Sequence, residues 1–253
     1  EPSLPDFAEW TPPPCGPFER PTIGQSTCLP VGTPCPESGW PDAPEGITEL
    51  RYVAPDGTGS GLSPSDPAGS IRETLEGMSR GAILLHTGTF DESLVISTAV
   101  QLIGACPSLT TIRSTERSLT TATVELTGSA SGISNVTITG PRPGVWLWDT
   151  RTQATIQGVV IAEAEYVGMT SSDGNATVTL EDVLIRDTLA SPDDGNGYGW
   201  GIEVFDAINL ELRGVTLESN QDVGLYASGA GANISAEELT ILRTKANPVT
   251  QSG

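Results

Sequence analysis

The heptapeptides SNVTITG (134–140), QGVVIAE (157–163), EDVLIRD (181–187), RGVTLES (213–219) and EELTILR (237–243) repeat one pattern along the second half of the chain. Aligned on their fifth residue, they recur at intervals of 23, 24, 32 and 24 residues. A period near 24, with a third short strand before each heptapeptide, is too short for helical repeats. We therefore predict an all-β fold: a right-handed, single-stranded parallel β-helix with three strands and about 24 residues per coil, stacked to bury a shared core.

A second series supports the same period. Segments that begin at Gly144, Gly168, Gly201 and Gly224 recur at intervals of 24, 33 and 23 residues. Both series contain one long interval, which predicts an insertion loop at about 191–200 within ASPDDGNGYGW (190–200). We expect glycine at the start of each segment because the corners of a coil need unusual backbone angles.

The chain before the repeats divides into two parts. Residues 1–46 are rich in Pro and Cys and are predicted to be an irregular leader, and residues 47–253 the β-helix. A helix is predicted at about 70–80, with Ser70 and Glu73 as a capping box and Gly81 as its left-handed stop. Such a helix would cover the first open edge of the strand stack.

Four cysteines, Cys15, Cys28, Cys35 and Cys106, predict two disulfides formed in an oxidising compartment. A plausible pairing joins Cys15 to Cys28 and leaves Cys35 to tie the leader to the body through Cys106, but spacing does not choose among the three connectivities. The lone His86 and the lack of a CxxC pair argue against a zinc site.

The start of the body resembles a known class of proteins. A strand, a Gly/Asp turn, a helix and a G-x-F strand lead into an L-x-G coil, in YVAPDGTGSGLSPSDP (52–67), SIRETLEGMSRGAILLHTGTFDESLVIS (70–97) and VQLIGA (100–105). This order is similar to that of secreted bacterial β-helix proteins of the pectin-lyase-like superfamily. The resemblance implies the fold and leaves the function open, because this fold hosts enzymes, adhesins and spacers.

Charge and hydropathy exclude some classes of partner. The formal net charge is −20, with Lys245 and 11 Arg as the only Lys and Arg cations, so nucleic acid and anionic membranes would be repelled. No apolar run is long enough to span a membrane. With the disulfides, these features indicate an extracellular, periplasmic or cell-surface protein.

The most informative face is an aromatic one. Alternation in the glycine-led strands predicts that the inward side chains are Val145, Leu147, Ile202, Val204, Leu225 and Ala227. The outward side chains of these strands and the insertion loop together form a predicted binding surface. Its members are Trp146, Trp148, Tyr198, Trp200, Glu203, Phe205 and Tyr226. Aromatic rings stack on sugars, and contiguous apolar patches on soluble proteins mark interaction sites. The ordinary alternatives are packing under the insertion loop and a contact with another protein.

An acidic ladder borders that face. Asp149, Asp173 and Asp206 occupy equivalent positions in successive coils, with Arg151 beside them as the remaining catalytic candidate. Stacked carboxylates repel unless a cation bridges them, so calcium is the one cofactor that they suggest, with Asp193 and Asp194 of the insertion loop as further ligands. The ordinary alternative is turn chemistry, since Asp is a preferred corner residue.

Motifs for catalysis are incomplete. The Gly-His-Gly and Arg-Ile-Lys motifs of polygalacturonases are missing, and RDTLAS (186–191) echoes only one of the two motifs of pectin methylesterases. Three hypotheses remain: a non-catalytic protein that binds a glycan or a surface protein, a calcium-dependent polysaccharide lyase or glycosidase, and a structural spacer. For the C-terminal strand edge two alternatives are open: the natural chain continues beyond it, or the edge meets another copy in an end-to-end or swapped homodimer.

Overall fold

The computed structural model describes residues 10–148, 153–172, 176–206 and 208–250. Within them lie one helix and nineteen strands: β1 (Glu19–Pro21), β2 (Cys28–Pro30), β3 (Leu50–Val53), α1 (Ile71–Glu76), β4 (Arg80–Leu85), β5 (Gly88–Phe90), β6 (Leu94–Ile96), β7 (Ala99–Gly104), β8 (Thr110–Arg113), β9 (Val124–Leu126), β10 (Ser129–Ser134), β11 (Thr137–Thr139), β12 (Val145–Leu147), β13 (Gln153–Ala162), β14 (Tyr166–Ser171), β15 (Thr177–Arg186), β16 (Gly199–Phe205), β17 (Asn209–Glu218), β18 (Leu225–Ser228) and β19 (Asn233–Leu242).

The architecture is the predicted parallel β-helix. A six-stranded sheet runs in the order β18-β16-β14-β12-β9-β6. An eleven-stranded sheet contains β19-β17-β15-β13-β10-β7-β4-β3, with β5, β8 and β11 extending it around the coil. All strand pairs in both sheets are parallel, so each coil stacks its strands on the equivalent strands of the neighbouring coils.

The register confirms both repeat series. Ile138, Ile161, Ile185, Leu217 and Ile241 pair in one column, and Val145, Met169, Ile202 and Leu225 pair in another. The long interval is an insertion of loop between β15 and β16 that leaves the stacking unbroken.

Each long strand bends at one left-handed residue. Asn135, Gly158, Asp182, Gly214 and Glu238 follow one another at the same level of successive coils, with φ between 53° and 61°. Asn and Asp tolerate this backbone region better than most side chains. Asn135 lies between β10 and β11, and the other four lie inside β13, β15, β17 and β19. A second set of left-handed residues directly follows these four long strands: Glu163, Asp187, Ser219 and Arg243.

The glycines that begin the second repeat series have a different role from the one expected. Gly144, Gly168, Gly201 and Gly224 are absent from the positive-φ residues of the chain. A Cβ on Gly168 would lie 2.3 Å from Cγ2 of Ile185, and one on Gly144 would lie 2.5 Å from Cγ2 of Ile161. The expectation of unusual backbone angles was wrong, because these positions need glycine for space against the isoleucine column.

The core between the sheets is almost entirely aliphatic. Its main cluster of buried residues contains Phe90 as its one aromatic member among the described residues. Val145, Leu147, Ile202 and Val204 are 0–1 % exposed, which confirms their predicted inward positions. Leu225 is only partly buried against this cluster and Ala227 is exposed, because β18 is the last strand of the six-stranded sheet. The other aromatic side chains thus lie outside the main cluster.

Helix α1 closes the N-terminal end of the stack. It starts after Ser70, whose Oγ accepts a hydrogen bond from Glu73 N at 3.2 Å. The carboxylate of Glu92 is a second cap beside the Ser70 hydroxyl, since its oxygens accept from Ile71 N at 2.8 Å and Arg72 N at 2.9 Å. The helix ends at Glu76 with Gly77 as its C-cap, so Gly81 is not the stop and instead lies in β4.

The N-terminal segment 10–46 lies across the outer side of the eleven-stranded sheet. The disulfides Cys15–Cys28 and Cys35–Cys106 are the predicted pair. Val31 packs on Val160 and Leu184, which point outward in neighbouring coils. Asp182 fixes the segment, because its carboxylate accepts from Arg20 Nε and from Gly32 N, each at 2.7 Å.

Candidate functional site

Five aromatic rings form a continuous line on the outer side of the six-stranded sheet and its insertion loop. Ring centroids are 6.1 Å apart for Tyr166 and Tyr198, 4.6 Å for Tyr198 and Trp200, 4.6 Å for Trp200 and Tyr226, and 6.2 Å for Tyr226 and Phe205. Neighbouring rings at these distances are in contact. We call these five residues the aromatic ribbon, a continuous surface rather than a set of separate rings.

The ribbon gathers residues from different parts of the chain. Tyr166 begins β14, Tyr198 belongs to the insertion loop, Trp200 and Phe205 lie in β16, and Tyr226 lies in β18. Four of the five are half-buried, and Tyr226 is 37 % exposed. The insertion loop therefore brings Tyr198 to the face where the sequence placed it.

A second aromatic group lies on the same sheet. Trp146 in β12 and Trp148 just after it stack with centroids 4.3 Å apart and an interplanar angle of 22°. Trp146 Nε1 donates to Ser172 Oγ at 3.3 Å, which holds the indole across the neighbouring coil. We call these two residues the tryptophan pair.

Glu203 lies in the predicted outward column, but the fold covers it. The column Trp146, Thr170, Glu203 and Tyr226 is paired residue by residue through β12, β14, β16 and β18. Glu203 is only 3 % exposed, and its Oε2 accepts a hydrogen bond from Thr170 Oγ1 at 3.0 Å. Burial raises the pKa of Glu203, partly offset by the bond from Thr170.

Tyr166 reports the electrostatic character of this face. Its pKa is raised to about 12, first by burial and then by the negative charges of Glu203 and Asp194 and by Tyr198. A phenol that holds its proton beside carboxylates is a hydrogen-bond donor at neutral pH. The Tyr166 end of the aromatic ribbon is thus apolar and has a negative electrostatic potential.

Two further acids lie beside the ribbon. Trp200 Nε1 donates to Asp222 Oδ2 at 2.7 Å, so a carboxylate lies at the edge of that indole. Asp206 follows Phe205, is exposed, and has a φ of 58°. Its backbone N donates to Ser228 O of the neighbouring coil at 2.9 Å, and its left-handed φ is one that Asp tolerates better than most residues.

The rest of the predicted acidic ladder is not placed. Asp149, Arg151 and Asp173 lie outside the described residues. Their assignment as catalytic or metal-binding residues therefore stays a prediction.

The insertion loop uses one of its acids internally. Asp194 Oδ2 accepts from Asn196 N at 3.1 Å and Tyr198 N at 3.3 Å, and Asp194 Oδ1 accepts from Asn196 Nδ2 at 3.1 Å. Among residues 10–148, 153–172, 176–206 and 208–250, no group of three or more His, Cys, Asp or Glu is arranged to hold a metal ion. The calcium proposal for Asp193 and Asp194 gains no support from this loop.

A groove adjoins the Tyr166 end of the ribbon. It has a volume of about 420 Å³ and is lined in part by Glu163, Glu165 and Leu189. Tyr166 N donates to Leu189 O at 2.9 Å, so groove and ribbon share this edge. Arg117 closes one side through Nε and Nη2 bonds to Glu165 at 2.9–3.0 Å.

Sequence reasoning missed three members of this site. Tyr166, Thr170 and Asp222 were not among the predicted binding residues, although Thr170 was placed in the outward column. Tyr166 had a usable signal in its spacing. It stands two residues before Gly168, and Tyr198 stands three residues before Gly201, the glycine of the next strand. Asp222 had none, because only the turn between β17 and β18 brings it to Trp200.

Solved structures that are similar to the chain include pectin methylesterases. The chain is similar to a pectin methylesterase from Aspergillus niger, at 16 % identity over 79 % of this chain and 91 % of the other, with a TM-score of 0.43. Similar values hold for pectin methylesterases from Erwinia chrysanthemi (12 %, 77 % and 93 %, TM-score 0.42) and carrot (14 %, 79 % and 89 %, TM-score 0.37). No protein-family model and no curated protein sequence matches the chain.

Proposed function

We propose that this protein is a secreted or cell-surface β-helix that binds a glycan through the aromatic ribbon and the tryptophan pair. The observation that carries the proposal is the position of seven aromatic side chains on one outer surface, while the main core cluster is built almost without aromatics. A soluble protein rarely presents so contiguous an apolar surface unless it binds something.

The chemistry of the surface suits a sugar chain. Half-buried rings present their faces to the C–H faces of sugar rings at low entropic cost, because the rings are already fixed by their neighbours. The Tyr166 hydroxyl and the Asp222 carboxylate offer polar partners for sugar hydroxyls at the ribbon's edge. Strands in a sheet lie about 4.8 Å apart, so β12 to β18 present roughly 14 Å of surface to a ligand.

The disulfides bear on the location of the protein. None of the helices in the described segments is long and apolar enough to cross a membrane. The two disulfides favour an oxidising compartment. We therefore place the protein outside the cytoplasm as part of the proposal.

A polysaccharide lyase or glycosidase is the second candidate. Glu203 favours it, because a buried carboxyl whose pKa is raised is suited to donate a proton. The same face would then carry both binding and chemistry. A structural spacer is the third candidate and predicts no ligand at all.

A glycan array with and without calcium tests these alternatives. We expect binding that Trp146→Ala and Trp200→Ala each weaken roughly tenfold or more, as when an aromatic anchor worth about 1.4 kcal/mol is lost. Trp10→Ala is the matched control, because Trp10 lies in the N-terminal segment and bonds Gln25 O.

Three outcomes separate the candidates. Binding lost in the two site variants and kept in Trp10→Ala supports the proposal. Release of reducing ends or unsaturated products that Glu203→Gln abolishes supports the enzyme. If no glycan binds and no site variant changes anything, the spacer is the better description.

A further inference from the structure

The aromatic face is set in an unusually acidic part of the chain. Residues 191–229 contain one Lys or Arg cation, Arg213, and seven acids, namely Asp193, Asp194, Glu203, Asp206, Glu211, Glu218 and Asp222. Arg213 is in β17 of the other sheet, where Nη2 bonds Glu211. The positive charge of this segment is therefore not at the aromatic ribbon.

Cations that approach from neighbouring elements are already paired. Arg117 makes three hydrogen bonds to the carboxylate of Glu165, next to Tyr166. Lys245 O accepts from Asp222 N, but Lys245 Nζ donates to Asp187 Oδ1 at 3.0 Å. Asp222 itself has the Trp200 indole as its side-chain partner, which leaves the carboxylate's charge uncompensated by that bond.

Two forces at this face select the charge of a ligand. Carboxylates beside an apolar surface raise the local concentration of cations and repel anions. The faces of Trp and Tyr rings add a cation–π attraction for an ammonium group within about 6 Å. A neutral sugar gains only the stacking, whereas a sugar with a protonated amine gains the stacking and both electrostatic terms.

We propose that the glycan bound at the aromatic ribbon is a chain of amino sugars with free, protonated amines, of the glucosamine type. This inference rests on the proposed function and adds the chemical class of the ligand. It excludes polyuronic acids as ligands, because their carboxylates would meet Asp194, Asp206 and Asp222.

Isothermal titration calorimetry with three oligosaccharides of equal length tests the inference. The probes are a β-1,4-glucosamine hexamer, its fully N-acetylated counterpart, which keeps the backbone and loses the charge, and an oligogalacturonate. At a pH where the amines are protonated, we expect the glucosamine chain to bind roughly tenfold or more tightly than the N-acetylated chain. Its affinity should fall with added salt, since exposed charges are screened.

Asp222→Asn is the variant that separates charge from shape. Asn tolerates the φ of 69° at this position, and its amide oxygen still accepts from Trp200 Nε1. The variant should lower affinity for the glucosamine chain several-fold more than affinity for the N-acetylated chain, because the amide can still bond sugar hydroxyls and has lost only the charge. Glu45→Gln, an exposed acid of the N-terminal segment, is the control and should change neither.

The results distinguish this inference from the proposed function. Equal or tighter binding of the N-acetylated chain, tight binding of the oligogalacturonate, or no change in selectivity in Asp222→Asn overturns the amino-sugar inference alone, provided that Trp200→Ala still weakens binding. If none of the three chains binds while the array shows binding to another glycan, the inference alone is overturned. If no glycan on the array binds either, the glycan proposal fails as well.

Discussion

Glu203 combines an outward position in the strand with an interior environment. It stands between Thr170 and Tyr226 in the paired strands, yet it is as buried as many core residues. The sequence predicts its side of the sheet by alternation. Its burial could not be predicted, because that depends on how aromatic side chains from a non-repeating loop settle over the sheet.

Replacing Glu203 should change how the stability of the protein depends on pH, because the buried carboxyl has a raised pKa. The raised pKa means that the folded protein keeps this proton to a higher pH than the unfolded chain, whose ordinary value is 4.5. Wild-type stability therefore falls as pH rises from 4.5 through the folded pKa, and Glu203→Gln should remove that contribution. We expect the thermal midpoint of the variant, relative to wild type, to be higher at pH 7.5 than at pH 4.

In Glu203→Gln the amide oxygen still accepts the hydrogen bond from Thr170. The difference between the two thermal midpoints, compared across pH values, therefore reports the effect of the charge. Calorimetric melts of both proteins at several pH values measure it. A difference between the two midpoints that does not vary with pH would show that Glu203 titrates as an ordinary carboxyl.

Among the elements, the contacts of the repeating strands follow from the sequence repeat, whereas the contacts of the N-terminal segment do not. The columns of Ile161, Ile185 and Leu217 follow from spacing alone, because every coil repeats the same alternation. Val160 and Leu184 point outward by the same rule, so alternation alone predicts that their side chains are exposed. They are 1 % and 0 % exposed because residues far earlier in the chain cover them, a contact that no repeat encodes.

Asp182 holds this cover in place, and its removal should loosen the N-terminal segment. Asp182→Ala leaves Gly32 N and the largely buried Arg20 guanidinium without their acceptor. We expect a loss of about 1–3 kcal/mol in urea unfolding, in the range of charge-assisted hydrogen bonds, and faster chymotryptic cleavage after Phe18, which packs against the same cluster as Val31. The alanine also adopts a positive φ, so Asp182→Asn, which tolerates that angle, should show the same faster cleavage.

Asp91→Ala provides the comparison for an ion pair without a docking role. Asp91 makes a two-pronged pair with Arg113, but both side chains are about half exposed. Exposed pairs contribute about 0–1 kcal/mol. Equal losses in the two alanine variants would contradict the role assigned to Asp182.

The whole molecule is a stack with two different ends. Helix α1 packs against the N-terminal coil, and β19 is the last strand of the eleven-stranded sheet. Ile241, which shares the column of Ile185 and Leu217, is 46 % exposed where they are 0 % exposed. Core-type side chains and strand backbone at this end form a surface suited to another strand.

End-to-end association of two copies through this surface is the prediction at this scale. Sedimentation equilibrium should show a concentration-dependent dimer that Ile241→Lys weakens at least tenfold, because a lysine at the contact must be desolvated. Leu62→Lys alters another exposed aliphatic residue, 65 % exposed in the turn after β3, and should leave the dimer intact. A protein that stays monomeric at all concentrations contradicts the prediction.

The bond between Asp182 and the N-terminal segment also has a consequence in time. Gly32 emerges 150 residues before its acceptor, which at about 5–20 residues per second is a delay of roughly 8–30 s. For the 71 residues between Cys35 and Cys106, roughly 4–14 s of it, Cys15, Cys28 and Cys35 are present without Cys106, so a premature bond within the trio competes with the native pairs. The part of the chain that is made first is placed last, and its correct oxidation depends on reshuffling once the later coils exist.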